Sequence, residues 1–90
     1  MNAELTSEPF QVYPNPSSGI LNIRLQPEGD IQQTVEVYNH LGQKVESYEL
    51  SFTKDMPAVE VQLNNLSDGV YFIRVFDGEQ VQTRRILLKK

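Results

Sequence analysis

Cysteine and tryptophan are absent from this 90-residue sequence, and histidine occurs once, as His40. The lack of cysteine excludes a disulfide, a thiolate metal site and a thiol nucleophile, and a lone histidine excludes a multi-histidine metal site. The aspartates lack calcium-loop spacing and fall in polar turn segments, where aspartate caps its own backbone. These residues are Asp30, Asp55, Asp68 and Asp77. No nucleophile is paired with an acid and a base, so the sequence predicts a domain without catalytic residues, metal or cofactor.

Long hydrophobic runs are also absent, because each apolar segment lasts only a few residues. A helical membrane span needs about 20 apolar residues, so none is predicted. The first ten residues, MNAELTSEPF, lack the charged and apolar regions of a secretory signal peptide. Twelve acidic against eight basic residues give a net charge of −4, and no basic stripe interleaves with aromatics, which argues against a nucleic-acid partner. The length fits one small domain with a single core.

Short segments of alternating apolar and polar residues run through the chain, whereas helical spacing is not sustained. One such segment places Leu21, Ile23 and Leu25 on one face of a predicted strand. Six of the predicted strands can be given ranges, namely residues 21–25, 34–38, 43–50 or 43–52, 59–63, 70–76 and 80–88. Turn signals recur at spacings of about ten residues, as in sandwiches of two antiparallel sheets. The sequence therefore predicts an all-β fold, a seven-stranded antiparallel immunoglobulin-like β-sandwich.

Two of the predicted turns have the composition of tight hairpins. Residues 39–42, Asn-His-Leu-Gly, predict a short loop in which Gly42 takes a left-handed conformation. Asp77 and Gly78 form the strongest short hairpin signal in the chain, because both residue types tolerate positive φ.

The last hairpin has two registers that the sequence leaves open. A two-residue loop places Tyr71 opposite Arg84, and a four-residue loop places it opposite Ile86. Both registers put the same apolar residues on one face, which we predict to be core. These residues are Tyr71, Ile73, Val75, Ile86 and Leu88. The other face carries Phe72, Val81 and Leu87, so it is either covered or an exposed apolar strip.

Residues 13–19, Tyr-Pro-Asn-Pro-Ser-Ser-Gly, form a segment that we call the corner. Each proline fixes φ and pushes the preceding residue, Tyr13 or Asn15, toward extended geometry, so the corner is neither helix nor central strand. Gly19 permits a sharp reversal into the strand that follows. We expect the corner to fix an extended entry to that strand and to set how the domain leaves its linker.

Three motifs in this order resemble the type A C-terminal sorting domain of the type IX secretion system, found at the ends of many secreted and surface proteins of Bacteroidota. The motifs are YPNPSSG at residues 13–19, VEVYNHLGQKV at 35–45 and LNNLSDGVYFIRV at 63–75. They are followed by the basic, apolar segment RRILLKK at 84–90. The resemblance covers nearly all of residues 10–90. Arginine stands where the family more often has lysine before the final apolar run, which leaves open which basic residue matters.

The resemblance implies an address for a cargo and not a catalyst. Residues 11–90 would be the sorting domain, and residues 1–10 a linker next to the cargo or an artificial end. The implied partners are the N-terminally fused cargo, the outer-membrane secretion machinery and a sortase-like peptidase that commonly removes the domain, with release or surface attachment of the cargo. The implied location is the periplasm in transit, then the cell surface or the extracellular space. The implied recognition residues are Pro14, Asn15, Pro16, Gly19, Gly42, Gly69, Tyr71, Lys89 and Lys90.

Several alternatives stay open at this point. The recognition residues act either through backbone geometry and the fold or through direct contact with the machinery, and the terminal lysines either keep an edge strand soluble or are read as a signal. The alternative function is a β-sandwich adhesion or carbohydrate-binding module, for which Tyr38, Tyr48 and Phe52 would supply an aromatic platform around one hairpin. Self-association through an exposed edge strand is also open.

Overall fold

The computed structural model describes residues 10–27, 29–76 and 81–90. These residues form two antiparallel sheets, a three-stranded sheet of order β1-β2-β5 and a four-stranded sheet of order β4-β3-β6-β7. The strands are β1 Phe10–Tyr13, β2 Ile20–Leu25, β3 Ile31–Asn39, β4 Lys44–Phe52, β5 Ala58–Gln62, β6 Gly69–Phe76 and β7 Val81–Leu88. The arrangement confirms the predicted seven-stranded antiparallel immunoglobulin-like sandwich. Within these described ranges, no helix has the length and apolar character that crossing a bilayer requires.

Alternate side chains of the two sheets meet in one hydrophobic core. Its buried members are Phe10, Leu21, Ile23, Leu25, Val35, Val37, Phe52, Val61, Leu63, Tyr71, Ile73, Val75, Ile86 and Leu88. All five residues predicted as core from the last hairpin are among them. Full burial of an aliphatic or aromatic side chain of this size contributes about 1.5–3 kcal/mol, so this set provides the main free energy that favours the fold.

The last hairpin adopts the second of the two registers left open by the sequence. Tyr71 lies opposite Ile86, and Phe76 lies opposite Val81, so residues 77–80 connect the strands. The predicted Asp-Gly turn falls within this connection, outside the described residues. On the outer face of the hairpin, Val81 is 41% and Leu87 38% exposed, whereas Phe72 is half-buried. Phe76, beside Val81, is 53% exposed, and Thr83 and Arg85 separate this pair from Leu87, so the exposed apolar residues do not form one continuous strip.

Strand β1 leads into the corner and shares Tyr13 with it, which corrects one expectation. Phe10 pairs with Leu25 and Tyr13 with Asn22, so the corner connects two paired strands instead of joining the domain to its linker. The prediction that the corner sets how the domain leaves its linker is therefore wrong. The strand escaped sequence analysis because four residues are too few to show an alternation. The Arg84 guanidinium lies 4.9 Å from the centre of the Phe10 ring, and its Nε donates to the Phe10 carbonyl at 3.1 Å, which ties β1 to β7.

Candidate functional site

One end of the sandwich, which we call the motif end, contains four segments that are distant in sequence. They are the 14–19 connection, the 39–43 turn, the 63–68 loop and the C-terminal tail, residues 89–90. Strand register places them together, because Asn39 lies beside Tyr71, and Gly69 lies opposite Leu88. All nine residues that the resemblance implied for recognition lie in these segments or at the start of β6.

Asn15 pairs with the free edge of β7 as a strand residue would. Its Nδ2 donates to the Arg85 carbonyl at 3.2 Å, and its Oδ1 accepts from the Leu87 amide at 2.9 Å. The prolines on either side, Pro14 and Pro16, are exposed, and both X-Pro bonds of the corner are cis. The side chain of Asn15 thus satisfies two backbone groups that an edge strand would leave to water.

Ser17 continues this pairing with its main chain. Its amide donates to the Leu87 carbonyl at 2.9 Å, and its carbonyl accepts from the Lys89 amide at 2.8 Å. The hydroxyl donates to the Ile20 carbonyl at 2.8 Å and accepts from the Gly19 amide at 3.2 Å. Ser17 is 1% exposed and is the buried polar residue among those described. Sequence analysis placed Ser17 only within the corner, and its position between the second proline and the glycine was the one available signal.

Gly19 connects the corner to the three-stranded sheet. Its carbonyl accepts from the Leu63 amide at 2.6 Å, so the corner contacts the loop that follows β5. Its φ is +128°, and a Cβ built on it would lie 3.0 Å from Oδ1 of Asn64. Both the backbone conformation and the space therefore favour glycine at this position.

The 39–43 turn is built around the Asn39 side chain. Oδ1 of Asn39 accepts from the amides of Leu41 at 2.9 Å and Gln43 at 3.0 Å. Gly42 has a φ of +82° and donates to the Asn39 carbonyl at 3.0 Å, which confirms the predicted left-handed position. His40 is exposed in this turn.

The start of β6 fixes the 63–68 loop. The Tyr71 ring belongs to the core, and its hydroxyl donates to the Ser67 carbonyl at 2.7 Å. Gly69 opens the strand two residues earlier with a φ of +154°. The loop therefore has a fixed position relative to the core.

The C-terminal tail lies between the corner and the 63–68 loop. The Lys90 amide donates to Oδ1 of Asp68 at 3.0 Å, and its Nζ donates to the Asn64 carbonyl at 2.8 Å. Lys89 is held by its main chain on Ser17, and its side chain is exposed. The two terminal lysines thus differ, because one ammonium is bound to the domain and the other extends into solvent.

A polar network crosses the outer face of the four-stranded sheet. Glu36 accepts from the Tyr38 hydroxyl at 2.8 Å and from Lys44 Nζ at 3.4 Å, and the Arg74 guanidinium lies 5.4 Å from the centre of the Tyr38 ring. The Tyr38 hydrogen bond, with the charges of Lys44 and Arg74, holds the pKa of the Glu36 carboxyl below its ordinary value, although partial desolvation opposes them. Among the described residues, no three histidine or acidic side chains are grouped to hold a metal ion.

The aromatic platform proposed for carbohydrate binding does not form. Phe52 is fully buried, and Tyr48 packs against the core with its hydroxyl on the Gln62 carbonyl at 3.4 Å. Tyr38 points to the opposite face of the sheet, because its neighbour Val37 is buried in the core, and Arg74 stacks over its ring. A sugar ring needs exposed aromatic faces side by side, which these three residues do not provide.

Comparisons with known proteins agree with the resemblance. Residues 11–89 match the family model described as "Secretion system C-terminal sorting domain". Among solved structures, the chain is similar to the crystal structure of dimeric latent PorU from Porphyromonas gingivalis, with a TM-score of 0.59 and 17% sequence identity. The similarity covers 88% of this chain and 9% of that chain, and at this identity it shows the fold alone. Comparison with the curated proteins finds no match.

Proposed function

Because this chain belongs to the family of type IX secretion system C-terminal sorting domains, we propose that its motif end is the surface that the outer-membrane secretion apparatus recognises. In this proposal the domain carries the address of an N-terminally fused cargo and performs no catalysis. The cargo passes from the periplasm to the cell surface or the medium. A sortase-like peptidase then separates it from the domain.

One observation carries the proposal, namely that the fold assembles the family's motif residues at a single end. The hydrogen bonds of Asn15 to β7 join residues that are 70 and 72 positions apart in sequence. The second and third motifs reach the same end through the 39–43 turn and the first residues of β6. A receptor that binds this end meets all three motifs at once and meets them only in the folded chain.

The motif end also offers groups for direct contact. Pro14, Asn15 and Pro16 are exposed, and Lys89 and Lys90 lie beside them at the end of β7. A structural role and a contact role are therefore compatible in the same segment. Proline rings give rigid apolar contact area at little entropic cost, and the lysines add positive charge for electrostatic steering.

Self-association through an edge strand stays a prediction. The corner covers residues 85–89 of the β7 edge, as the hydrogen bonds of Asn15 and Ser17 show. Covering an edge in this way is one of the devices that limit strand pairing between copies. Size-exclusion chromatography of the isolated domain over a range of concentrations measures whether copies still associate.

The test is a fusion of residues 1–90 to the C-terminus of a periplasm-directed fluorescent protein, expressed with and without a working type IX apparatus. We expect fluorescence at the surface or in the medium only when the apparatus is present. Reporter retained in the periplasm in both strains would contradict recognition through this domain, and glycan binding by the isolated domain would then be measured.

The surface is tested by reversing charge at each end of the sandwich. Lys89→Glu combined with Lys90→Glu alters the motif end, and Lys54→Glu alters the turn after β4 at the opposite end. All three positions are exposed, so folding should change by less than about 1 kcal/mol. We expect the double variant to impair export and Lys54→Glu to leave it intact. Normal export of the double variant would show that tail charge is irrelevant.

A further inference from the structure

We propose that Asn15, Ser17 and Asp68 are positioning residues for the C-terminal tail, and that Lys89 supplies the cation that an acidic group of the secretion apparatus binds. This inference rests on the proposed function of the motif end. It divides the two lysines, which the sequence leaves equivalent, into a bound anchor and a presented charge.

Asn15 and Ser17 attach the corner to β7, and we call these two residues the clasp. Asn15 bonds to the carbonyl of Arg85 and the amide of Leu87. Ser17 bonds to the carbonyl of Leu87 and the amide of Lys89, and forms a parallel bridge with Leu88. The clasp therefore acts as a short added strand that reaches the tail itself. Without it, β6 would be the one strand that hydrogen-bonds to the end of β7 among the described residues, and beyond β7 the bonds of Lys90 would hold the tail.

The Ser17 side chain fixes the position of the clasp relative to the three-stranded sheet. Its hydroxyl bonds to the Ile20 carbonyl and the Gly19 amide, inside the connection to β2. A buried hydroxyl that lost these partners would cost free energy, so the corner is fixed to the three-stranded sheet while its main chain holds the four-stranded one. The position of the tail is thereby coupled to the packing of both sheets.

The two terminal lysines make different contacts. Lys90 is held twice, by its amide on Asp68 and by its ammonium on the Asn64 carbonyl. Lys89 follows the fully buried Leu88 and points away from the core, with an exposed side chain. Within the part of the chain that the structure describes, its ammonium has no hydrogen-bond or ion-pair partner. Lys89 thus combines a fixed main chain with an exposed ammonium that can bind a partner.

The chemistry of the partner follows from this geometry. An ammonium is a compact charge with three donors, and its natural protein partner is a carboxylate. The main chain of Lys89 is already ordered by Ser17, so binding orders only the side chain, which lowers the entropic cost of the contact. An acidic group of the apparatus therefore gains a preorganised site in the clasped chain.

The clasp is tested by amide hydrogen exchange in the full chain, followed by NMR. We expect Asn15→Ala to raise exchange at the amides of Leu87 and Lys89 about tenfold, because one hydrogen bond is worth roughly that factor. Asn22→Ala is the matched control, since Asn22 makes one long side-chain bond, 3.5 Å, to the Tyr13 carbonyl. Unchanged exchange in Asn15→Ala would overturn the clasp and leave the proposed function standing.

The presented charge is tested in the same reporter fusion with single substitutions. We expect Lys89→Gln to lower export about tenfold, Lys89→Arg to restore most of it, and Lys54→Gln to have no effect. Lys90→Gln keeps the amide bond to Asp68, so its effect should be smaller than that of Lys89→Gln. Normal export of Lys89→Gln would overturn the assignment of the charge.

Two measurements on the same variants separate this inference from the proposal on which it rests. Lys89→Gln should leave the exchange of the tail amides unchanged while export falls, which a merely structural role would not do. Asn15→Ala should raise exchange and lower export together. Raised exchange with normal export would overturn the need for an ordered tail, whereas the proposed function is contradicted by a parent fusion whose reporter stays in the periplasm with a working apparatus.

Discussion

Replacement of Gly19 by alanine tests how far the corner depends on its backbone conformation. Gly19 has a φ of +128°, where a side chain is rarely accepted, and a residue held in such a region costs of order 1–3 kcal/mol. The added Cβ would also lie 3.0 Å from Oδ1 of Asn64. The side-chain amide of Asn64 makes one exposed side-chain hydrogen bond, to Gln62 at 3.3 Å, so it moves away from the added Cβ at little cost. We expect Gly19→Ala to destabilise the domain by about 2–3 kcal/mol, mostly through φ.

This loss is large for a chain of 90 residues. A domain of this size has a free energy of unfolding of about 5–13 kcal/mol, and a loss of 1 kcal/mol lowers its melting temperature by about 4–8 °C. Urea unfolding followed by far-UV circular dichroism measures the change as a shift of midpoint at constant slope.

Gly29→Ala is the matched control, because it is the same glycine-to-alanine substitution at an unconstrained position. A Cβ built on Gly29 has no atom within 4 Å, and its φ lies outside the positive range, so stability should change by less than about 0.5 kcal/mol. Combining Gly19→Ala with Asn64→Ala removes the close contact and leaves φ unchanged. A cost of Gly19→Ala below about 0.5 kcal/mol, or its full recovery in the double variant, would refute the reasoning.

Three further predictions concern single side chains. Gly42→Ala should cost about 1 kcal/mol through φ alone, because its position is open, and Gly42→Asn should cost less; equal stability of the alanine variant would contradict this. Tyr71→Phe should cost about 1 kcal/mol in the same unfolding assay, through loss of the hydrogen bond to the Ser67 carbonyl; a variant as stable as the parent would show that this bond contributes nothing. The lowered pKa of Glu36 means that its contribution to stability is complete above the unfolded pKa and is lost as pH falls through the folded pKa. Tyr38→Phe removes the largest cause, so NMR titration should show a higher pKa for Glu36 and stability should decline from a higher pH; an unchanged pKa would contradict the assignment.

Local patterns were enough to predict the fold class and much of the core. Strand alternation placed residues such as Leu21 and Ile73 inward whatever the pairing, because side chains alternate with a period of two. The register of the last hairpin stayed open, since it depends on the length of a loop and not on the faces of its strands. Strand β1 was missed because four residues carry too little pattern, and the pairing of β3 with β6 depends on contacts between distant segments.

Sequence analysis predicted which residues belong to the candidate site, but not how the fold brings them together on one surface. The resemblance supplied positions such as Asn15 and Lys89, but their contact through β7 depends on a fold that joins both ends of the chain. Ser17 was missed for the same reason. Serine is common in turns for local reasons, whereas this serine is buried where its main chain bridges to Leu88, far along the sequence.

The parallel bridge between Ser17 and Leu88 has a consequence for when the signal exists during synthesis. Other contacts of the first motif are made with β2 or with Leu63 after β5, but the hydrogen bonds of Asn15 and Ser17 need the last strand of the domain and the residue after it. A ribosome-bound or prematurely ended chain that stops before Val81 contains the complete Tyr-Pro-Asn-Pro sequence and lacks the strand on which it docks. The first motif to be translated therefore makes its full set of contacts only after the last strand has been translated, and a chain truncated before β7 cannot form the motif end described above.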